Sequence, residues 1–139
     1  MKIVLVVAGI GWVMAVASCR MEDGVAEPAK DLSEQMDVLA ILQETVGQDL
    51  EKGDWGGALQ MANSMDSVFE VCSRSFDRHQ RLKEPFRSYY EGKMASAMKQ
   101  LRKAIRQKDA PLAKDRYAYL VRRCNSCHNE NEVAERAHE

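Results

Sequence analysis

Apolar residues recur every three or four positions along most of the chain after residue 30, which is the spacing of one face of an α-helix. The first such stretch begins at Asp31 and ends at Lys52. Its apolar positions are Leu32, Met36, Leu39, Leu42, Val46 and Leu50. Gly53 suits the left-handed C-cap of this helix, and Asp54 is a natural N-cap for a second helix that continues to Phe76.

Two further helices are predicted in the C-terminal half, each with a proline in its first turn. Pro85 begins the third helix, which ends near Lys108, and Pro111 begins the fourth. The apolar positions of the third are Phe86, Tyr89 or Tyr90, Met94, Ala97, Leu101 and Ile105. Those of the fourth are Leu112, Tyr117, Leu120, Val121 and Cys124.

Strand patterns are absent, because no four-residue run combines strict alternation with enrichment in β-branched or aromatic residues. Four helices of roughly 15 to 25 residues joined by short connections predict an all-α fold, an antiparallel four-helix bundle. We place this domain at residues 31–139.

The N-terminus has the pattern of a signal peptide. Lys2 is the only charge before Arg20, and residues 3–16 are apolar or glycine. This apolar stretch is marginally shorter than a transmembrane helix requires and ends in small residues, although an uncleaved anchor is the alternative. We therefore predict that residues 1–18 are a signal peptide and that the protein is exported.

The residues directly after the apolar stretch, 16–19, read Val-Ala-Ser-Cys and resemble the bacterial lipobox. The resemblance implies that Cys19 is lipidated and becomes the first residue of the mature chain. Residues 19–30 are polar and would tether the domain to a membrane. Arg20, in place of an aspartate retention signal, slightly favours the outer membrane, and the domain would lie on its periplasmic side.

A CxxCH motif, Cys124-Asn125-Ser126-Cys127-His128, lies close to the C-terminus in the last predicted helix. This is the signature of covalent c-type haem attachment. Two thiols three positions apart can add to the two vinyl groups of one haem, while the adjacent imidazole binds the iron from the proximal side. The motif therefore predicts one covalent haem c, held by Cys124 and Cys127, with His128 as proximal ligand.

Two other interpretations of the motif remain open. In a zinc site, the motif's two cysteines and its histidine would be joined by a fourth ligand such as Cys72 or His79. A redox-active CxxC pair would be expected in a strand–helix context, and no β-rich segment precedes this motif. Cys72 is otherwise expected to be a buried small apolar residue.

The chain has 20 Lys and Arg against 21 Asp and Glu, so its balance of charge does not suggest a nucleic-acid partner. Basic residues do cluster locally, and such clusters are usually solvated helix faces. Arg122 and Arg123 precede the motif and could pair with haem propionates. The other cluster, which could dock an acidic redox partner, comprises Arg102, Lys103, Arg106 and Lys108.

An exported chain of four helices with CxxCH in the last one resembles the class II c-type cytochromes, the cytochrome c′ family. The resemblance covers about Leu32 to His128, and only the motif is specific residue by residue. It implies that Cys124 and Cys127 are the thioether anchors and His128 the proximal ligand. Dimers are common in this family, so a homodimer is possible.

The resemblance also implies that the first helix supplies the distal side of the iron. Low-spin members use a methionine there, and Met36 is the only methionine on the first helix. Counting back from the loop at Gly53 instead gives Leu39 or Ala40 as the distal position. After the proximal histidine the family often has an aromatic and a basic residue, where this chain has Asn131 and Glu132. His138, near the terminus, is expected to be disordered.

Three functions are compatible with these features. The favoured one is a membrane-anchored monohaem cytochrome that carries single electrons to an unknown redox partner protein, and not an enzyme, because no acid, base and nucleophile set accompanies the motif. The second is a five-coordinate haem protein that binds nitric oxide or carbon monoxide, with Leu39 and Leu42 as an apolar distal wall. The third is a zinc-stabilised structural lipoprotein.

Overall fold

The computed structural model describes residues 31–79 and 81–138, and these residues form helices and connections without any strand. The elements are α1 Leu32–Lys52, α2 Trp55–Ser75, α3 Phe86–Tyr89, a π-helical turn Tyr90–Met94, α4 Ala95–Gln107 and α5 Ala110–Glu130. The all-α prediction is thereby confirmed. The predicted signal peptide, the tether and the lipidated Cys19 lie outside the described residues.

Local capping residues set the helix boundaries. The Asp31 carboxylate accepts a hydrogen bond from the Ser33 amide at 2.8 Å, which caps the start of α1. Gly53 ends α1 with φ 72°, a left-handed conformation that favours glycine. One residue later, Asp54 accepts from the Gly57 amide at 2.9 Å and begins α2. The predicted boundary between the first two helices is therefore confirmed.

The third predicted helix runs without a break in the helical chain, but one turn within it is π-helical and not α-helical. α3 passes directly into the π turn and then into α4. Tyr89 is buried, Tyr90 is half-buried, and their hydroxyls have different partners: Asn131 at 3.1 Å and Asp66 at 2.8 Å. The interrupted helix thus directs two consecutive tyrosines to two different neighbours, after α5 and on α2 respectively.

The helices pack around one core. α1 packs against α2, α2 against α4 and α4 against α5, and a less extensive contact joins α1 to α5. Cys72 is fully buried, as predicted. The largest fully buried side chains are Met65, Met94, Met98, Leu101, Ile105, Leu120, Val46 and Cys72.

A polar cluster joins α2 to the α3–α4 stretch. Arg102 forms an ion pair with Asp66 at 2.7 Å, and the same carboxylate accepts the hydrogen bond of Tyr90. Burial and the Asp66 hydrogen bond raise the pKa of Tyr90 above its usual range, so its hydroxyl stays protonated and donates. Arg102 is therefore half-buried in a contact between helices, whereas Lys103, in the same predicted basic cluster, is exposed.

In the part of the chain that the structure describes, no helix combines the length and the apolar character that crossing a membrane requires.

Candidate functional site

The CxxCH motif occupies the last two turns of α5. Cys124, Cys127 and His128 are at positions i, i+3 and i+4, which share one face of a helix. Cys127 is buried, whereas Cys124 and His128 are half-buried. Both cysteines are free thiols and pack against the hydrophobic core. The structure therefore keeps the three predicted site residues together at one end of α5.

The surroundings of the two thiols keep them protonated. Burial raises the pKa of the Cys124 thiol to about 12, and the neighbouring Cys127 adds to the shift. Burial also raises the pKa of Cys127 to about 11, with a further contribution from the Glu130 carboxylate. Redox-active CxxC pairs have the opposite property, a lowered thiol pKa. The environment of the motif is thus unlike that of a thiol–disulfide oxidoreductase.

The zinc interpretation needs further ligands near the motif. Within residues 31–79 and 81–138, no three side chains of His, Cys, Asp or Glu converge so that they could hold a metal ion. Cys72 is fully buried in α2. His79 lies in the connection after α2 with its ring edge-on to Phe76, and its Nδ1 accepts from the Arg81 amide. The two predicted candidates for a fourth ligand are thus engaged in other contacts.

His128 has a defined partner at one ring nitrogen. Its Nδ1 lies 2.7 Å from the backbone carbonyl oxygen of Glu135. A carbonyl oxygen can only accept, so the hydrogen must be on Nδ1. In the neutral ring, Nε2 then carries the lone pair and is able to bind a metal. This is the arrangement in which metal-binding histidines usually occur, with the second nitrogen donating to a carbonyl or carboxylate.

The chain beyond α5 folds back along the motif. We call residues 133–138 the C-terminal strap. The Asn125 side chain exchanges two hydrogen bonds with the backbone of Ala137, at 2.9 and 3.0 Å. The carbonyl of His138 accepts from Gln43 Nε2 on α1 at 2.7 Å. Where sequence reasoning expected a disordered terminus, the structure places the backbone of Ala137 and His138 against side chains of α5 and α1.

Asn131, directly after α5, connects the end of the motif to α3 and to the connection before α3. Its side chain is buried, and its Oδ1 accepts from the Lys83 amide at 2.8 Å and from the Tyr89 hydroxyl at 3.1 Å. Its Nδ2 donates to the carbonyl of Cys127 at 2.9 Å. Asn131 therefore fixes the last turn of α5 against α3, a role that sequence reasoning missed.

Acidic residues around the motif are paired with lysines. Glu130 accepts from Lys93 of the π turn, which holds the pKa of this carboxyl below its usual range. Glu132 pairs with Lys83 at 2.9 Å, with the same effect on its pKa. Lys93 also donates to the Ser126 hydroxyl within the motif, at 3.2 Å. The carboxylates of Glu130 and Glu132, at the end of α5, are thus both neutralised by lysines.

The two arginines before the motif share one aromatic neighbour. The guanidinium carbons of Arg122 and Arg123 lie 5.9 and 5.8 Å from the centre of the Tyr119 ring, within the range of cation–π contacts. Arg122 is exposed and Arg123 half-buried. The Nε of Arg123 is buried and has no hydrogen-bond partner among the described residues. A donor without an acceptor beside Cys124 suits an anionic group, so propionate pairing by these arginines stays a prediction.

The residues predicted for the distal side lie on different parts of the α1 surface. Leu39 is buried in the core, Met36 is half-buried against the core, and Ala40 is exposed. Leu42 is also half-buried against the core. Ala40 instead lines a groove of about 590 Å³ between α1, α5 and the C-terminal strap. Leu39 and Ala40 therefore do not face the same space.

A glycine on α1 makes room for Tyr117, which lines this groove. Tyr117 of α5 donates its hydroxyl hydrogen to the Gln43 carbonyl at 3.1 Å and accepts from the Gln43 side chain. A Cβ on Gly47 would lie only 2.6 Å from the Tyr117 hydroxyl oxygen and 2.9 Å from Cζ. The absence of a side chain at Gly47 is thus required for this contact between α1 and α5.

Gly47→Ala is expected to lower the free energy of unfolding by about 1–3 kcal/mol, because the added methyl group displaces Tyr117 from Gln43. Chemical denaturation of the whole protein measures this change. Gly92→Ala is the control, since nothing lies within 4 Å of a Cβ there. An unfolding free energy for Gly47→Ala at or above that of the parent protein would contradict the prediction.

Comparison of the chain with known protein families, with curated proteins and with solved structures gives no match in any of the three.

Proposed function

We propose that this protein is a monohaem c-type cytochrome, tied to a membrane through lipid on Cys19, that carries single electrons on the periplasmic side. The observation that carries the proposal is the CxxCH motif in a continuous helix, with the Nδ1 of His128 hydrogen-bonded so that Nε2 carries the lone pair that iron requires. The buried core beside Cys124 and Cys127 supports it further.

Each side chain of the motif has one role in this proposal. Cys124 and Cys127 would hold the haem, each through a thioether made by addition of its S–H group across a vinyl group, an addition that requires no oxidant. His128 would bind the iron through Nε2. Bound haem supplies a one-electron couple between ferric and ferrous iron, whose potential depends on ligands, hydrogen bonds and burial.

We further propose that the helices form an antiparallel bundle and that α1 supplies the distal side. Gln43 of α1 contacts Tyr117 of α5. Met36 lies seven residues before Gln43, and Cys124 lies seven residues after Tyr117. At a rise of about 1.5 Å per residue, antiparallel helices place Met36 and Cys124 at the same level along the bundle. This register brings Met36 closer than Ala40 to the level of the motif, and Met36, unlike Ala40, has a side-chain atom that can bind iron.

The test is the visible spectrum of the purified reduced protein, with and without carbon monoxide, together with a pyridine haemochrome assay and metal analysis. We expect one covalent haem per chain and a sharp low-spin spectrum that carbon monoxide leaves unchanged. A carbon monoxide-induced shift would reject the six-coordinate carrier in favour of a gas-binding protein. Zinc without covalent haem would overturn both haem functions, electron transfer and gas binding.

Met36→Leu is expected to abolish the charge-transfer band near the red end of the ferric spectrum that methionine ligation produces, and to open the iron to carbon monoxide. Leucine preserves the size of the side chain, so the fold should be retained. Met61→Leu is the matched control, because Met61 on α2 is also half-buried against the core. Survival of the band in Met36→Leu would assign the sixth ligand to another residue.

A further inference from the structure

The C-terminal strap runs back along the face of α5 that carries the motif. Asn125 and His128 are three positions apart and therefore on one side of α5. Glu135 lies against His128, and two residues later Ala137 lies against Asn125. The strap and the helix thus run in opposite directions, and they contact each other at Asn125 and at His128.

Three residues, two on α5 and one on α1, hold the strap. At its start, the Val133 amide donates to the carbonyl of His128 at 2.9 Å, beyond a turn in which Glu132 adopts φ 58°. At its end, Asn125 clamps Ala137, and Gln43 binds the carbonyl of His138. The strap is therefore fixed before and after the residue whose carbonyl meets the imidazole.

Within the strap, the Arg136 guanidinium donates to two carbonyl groups. One is that of Val133, and the other is that of Glu135, at 2.8 Å. The Glu135 oxygen has two lone pairs, so it accepts from Arg136 and from His128 together. These contacts close the strap on itself and aim the Glu135 carbonyl at the His128 ring.

We infer that the C-terminal strap, clamped by Asn125, is a positioning element that fixes the orientation and the tautomer of the His128 ring through the Glu135 carbonyl. The inference rests on the proposed function, since it concerns how the proximal ligand is held. Asn125 acts through the strap and touches no reacting atom. A hydrogen bond at Nδ1 raises the basicity of the ligating imidazole, which stabilises ferric iron relative to ferrous iron.

The experiment is a double-mutant cycle on the reduction potential of the haem-loaded protein. One variant is Asn125→Ala, and the other ends the chain after Glu132 and so lacks the strap. Both should raise the potential, by roughly a tenfold shift in the ferric-to-ferrous preference, which corresponds to about 59 mV for one electron. Asn125→Ala should add nothing in the shortened chain, because its effect requires the strap.

Asn129→Ala is the matched control, because Asn129 is an exposed asparagine on the same stretch of α5. Its potential should equal that of the parent protein. If the parent binds covalent haem but both the shortened chain and Asn125→Ala keep its potential, the inference fails and the proposed function stands. Equal effects of Asn125→Ala with and without the strap would also overturn the inference.

If the purified protein carries no haem, the proposed function fails and the strap is tested directly. Nitrogen-15 NMR of the imidazole should then show His128 protonated at Nδ1 in the full chain. The shortened chain should show a mixture of tautomers dominated by Nε2 protonation, as in free histidine. The same tautomer in both proteins would reject the strap as a positioning element.

Discussion

Replacing Cys124 and Cys127 together by serine is expected to eliminate covalently bound haem. A serine hydroxyl does not form the thioether that the motif requires, and the two side chains are the only anchors that the CxxCH motif supplies. Each single variant retains one thiol and should keep a single thioether. Haem-dependent staining after denaturing electrophoresis measures covalent attachment, and the signal of the double variant should fall to background.

Cys72→Ala is the control for this experiment. Cys72 is a free thiol like the other two, but it is fully buried in α2. The variant should therefore keep its covalent haem and lose only part of its core packing. Covalent haem in the double variant, or its loss in Cys72→Ala alone, would show that the attachment site has been placed wrongly.

Asn131→Ala is expected to lower the free energy of unfolding by about 2–4 kcal/mol. The substitution leaves the buried Tyr89 hydroxyl and the Lys83 amide without the Oδ1 acceptor that both use. Buried polar groups that lose their partners cost about 1–3 kcal/mol each. Chemical denaturation, followed by the circular dichroism of the helices, measures the change.

Asn129→Ala is again the control. Asn129 is an asparagine two positions before Asn131, and its side chain is exposed. It should change the free energy of unfolding by less than about 0.5 kcal/mol. A loss for Asn131→Ala no larger than that of Asn129→Ala would mean that its hydrogen bonds contribute nothing to stability.

Helix boundaries could be predicted wherever the cause is local. Gly53 and Asp54 end one helix and begin the next through contacts within a few residues, and the chain shows both in adjacent positions. The π turn could not be predicted, because it accompanies hydrogen bonds of Tyr89 and Tyr90 to distant parts of the chain. The ion pair of Arg102 could not be predicted either, because its partner Asp66 lies on another helix.

The candidate site also has one part that follows from local sequence and another that depends on contacts between distant residues. Cys124, Cys127 and His128 are contiguous in sequence, so their shared face follows from helix geometry alone. Asn131 was noted only as a departure from a family pattern, whereas its partners are 42 and 48 positions away. The strap has no apolar periodicity, and what orders it is a set of side chain-to-backbone hydrogen bonds.

The sparse contact between α1 and α5 has a consequence for the order of folding. Gln43 and Tyr117 are 74 positions apart, and closing so long a loop costs more entropy than joining neighbouring helices. We therefore expect the contact between α1 and α5 to form last and to open first. The backbone amides beside it should then exchange their hydrogens faster than those at the other helix contacts.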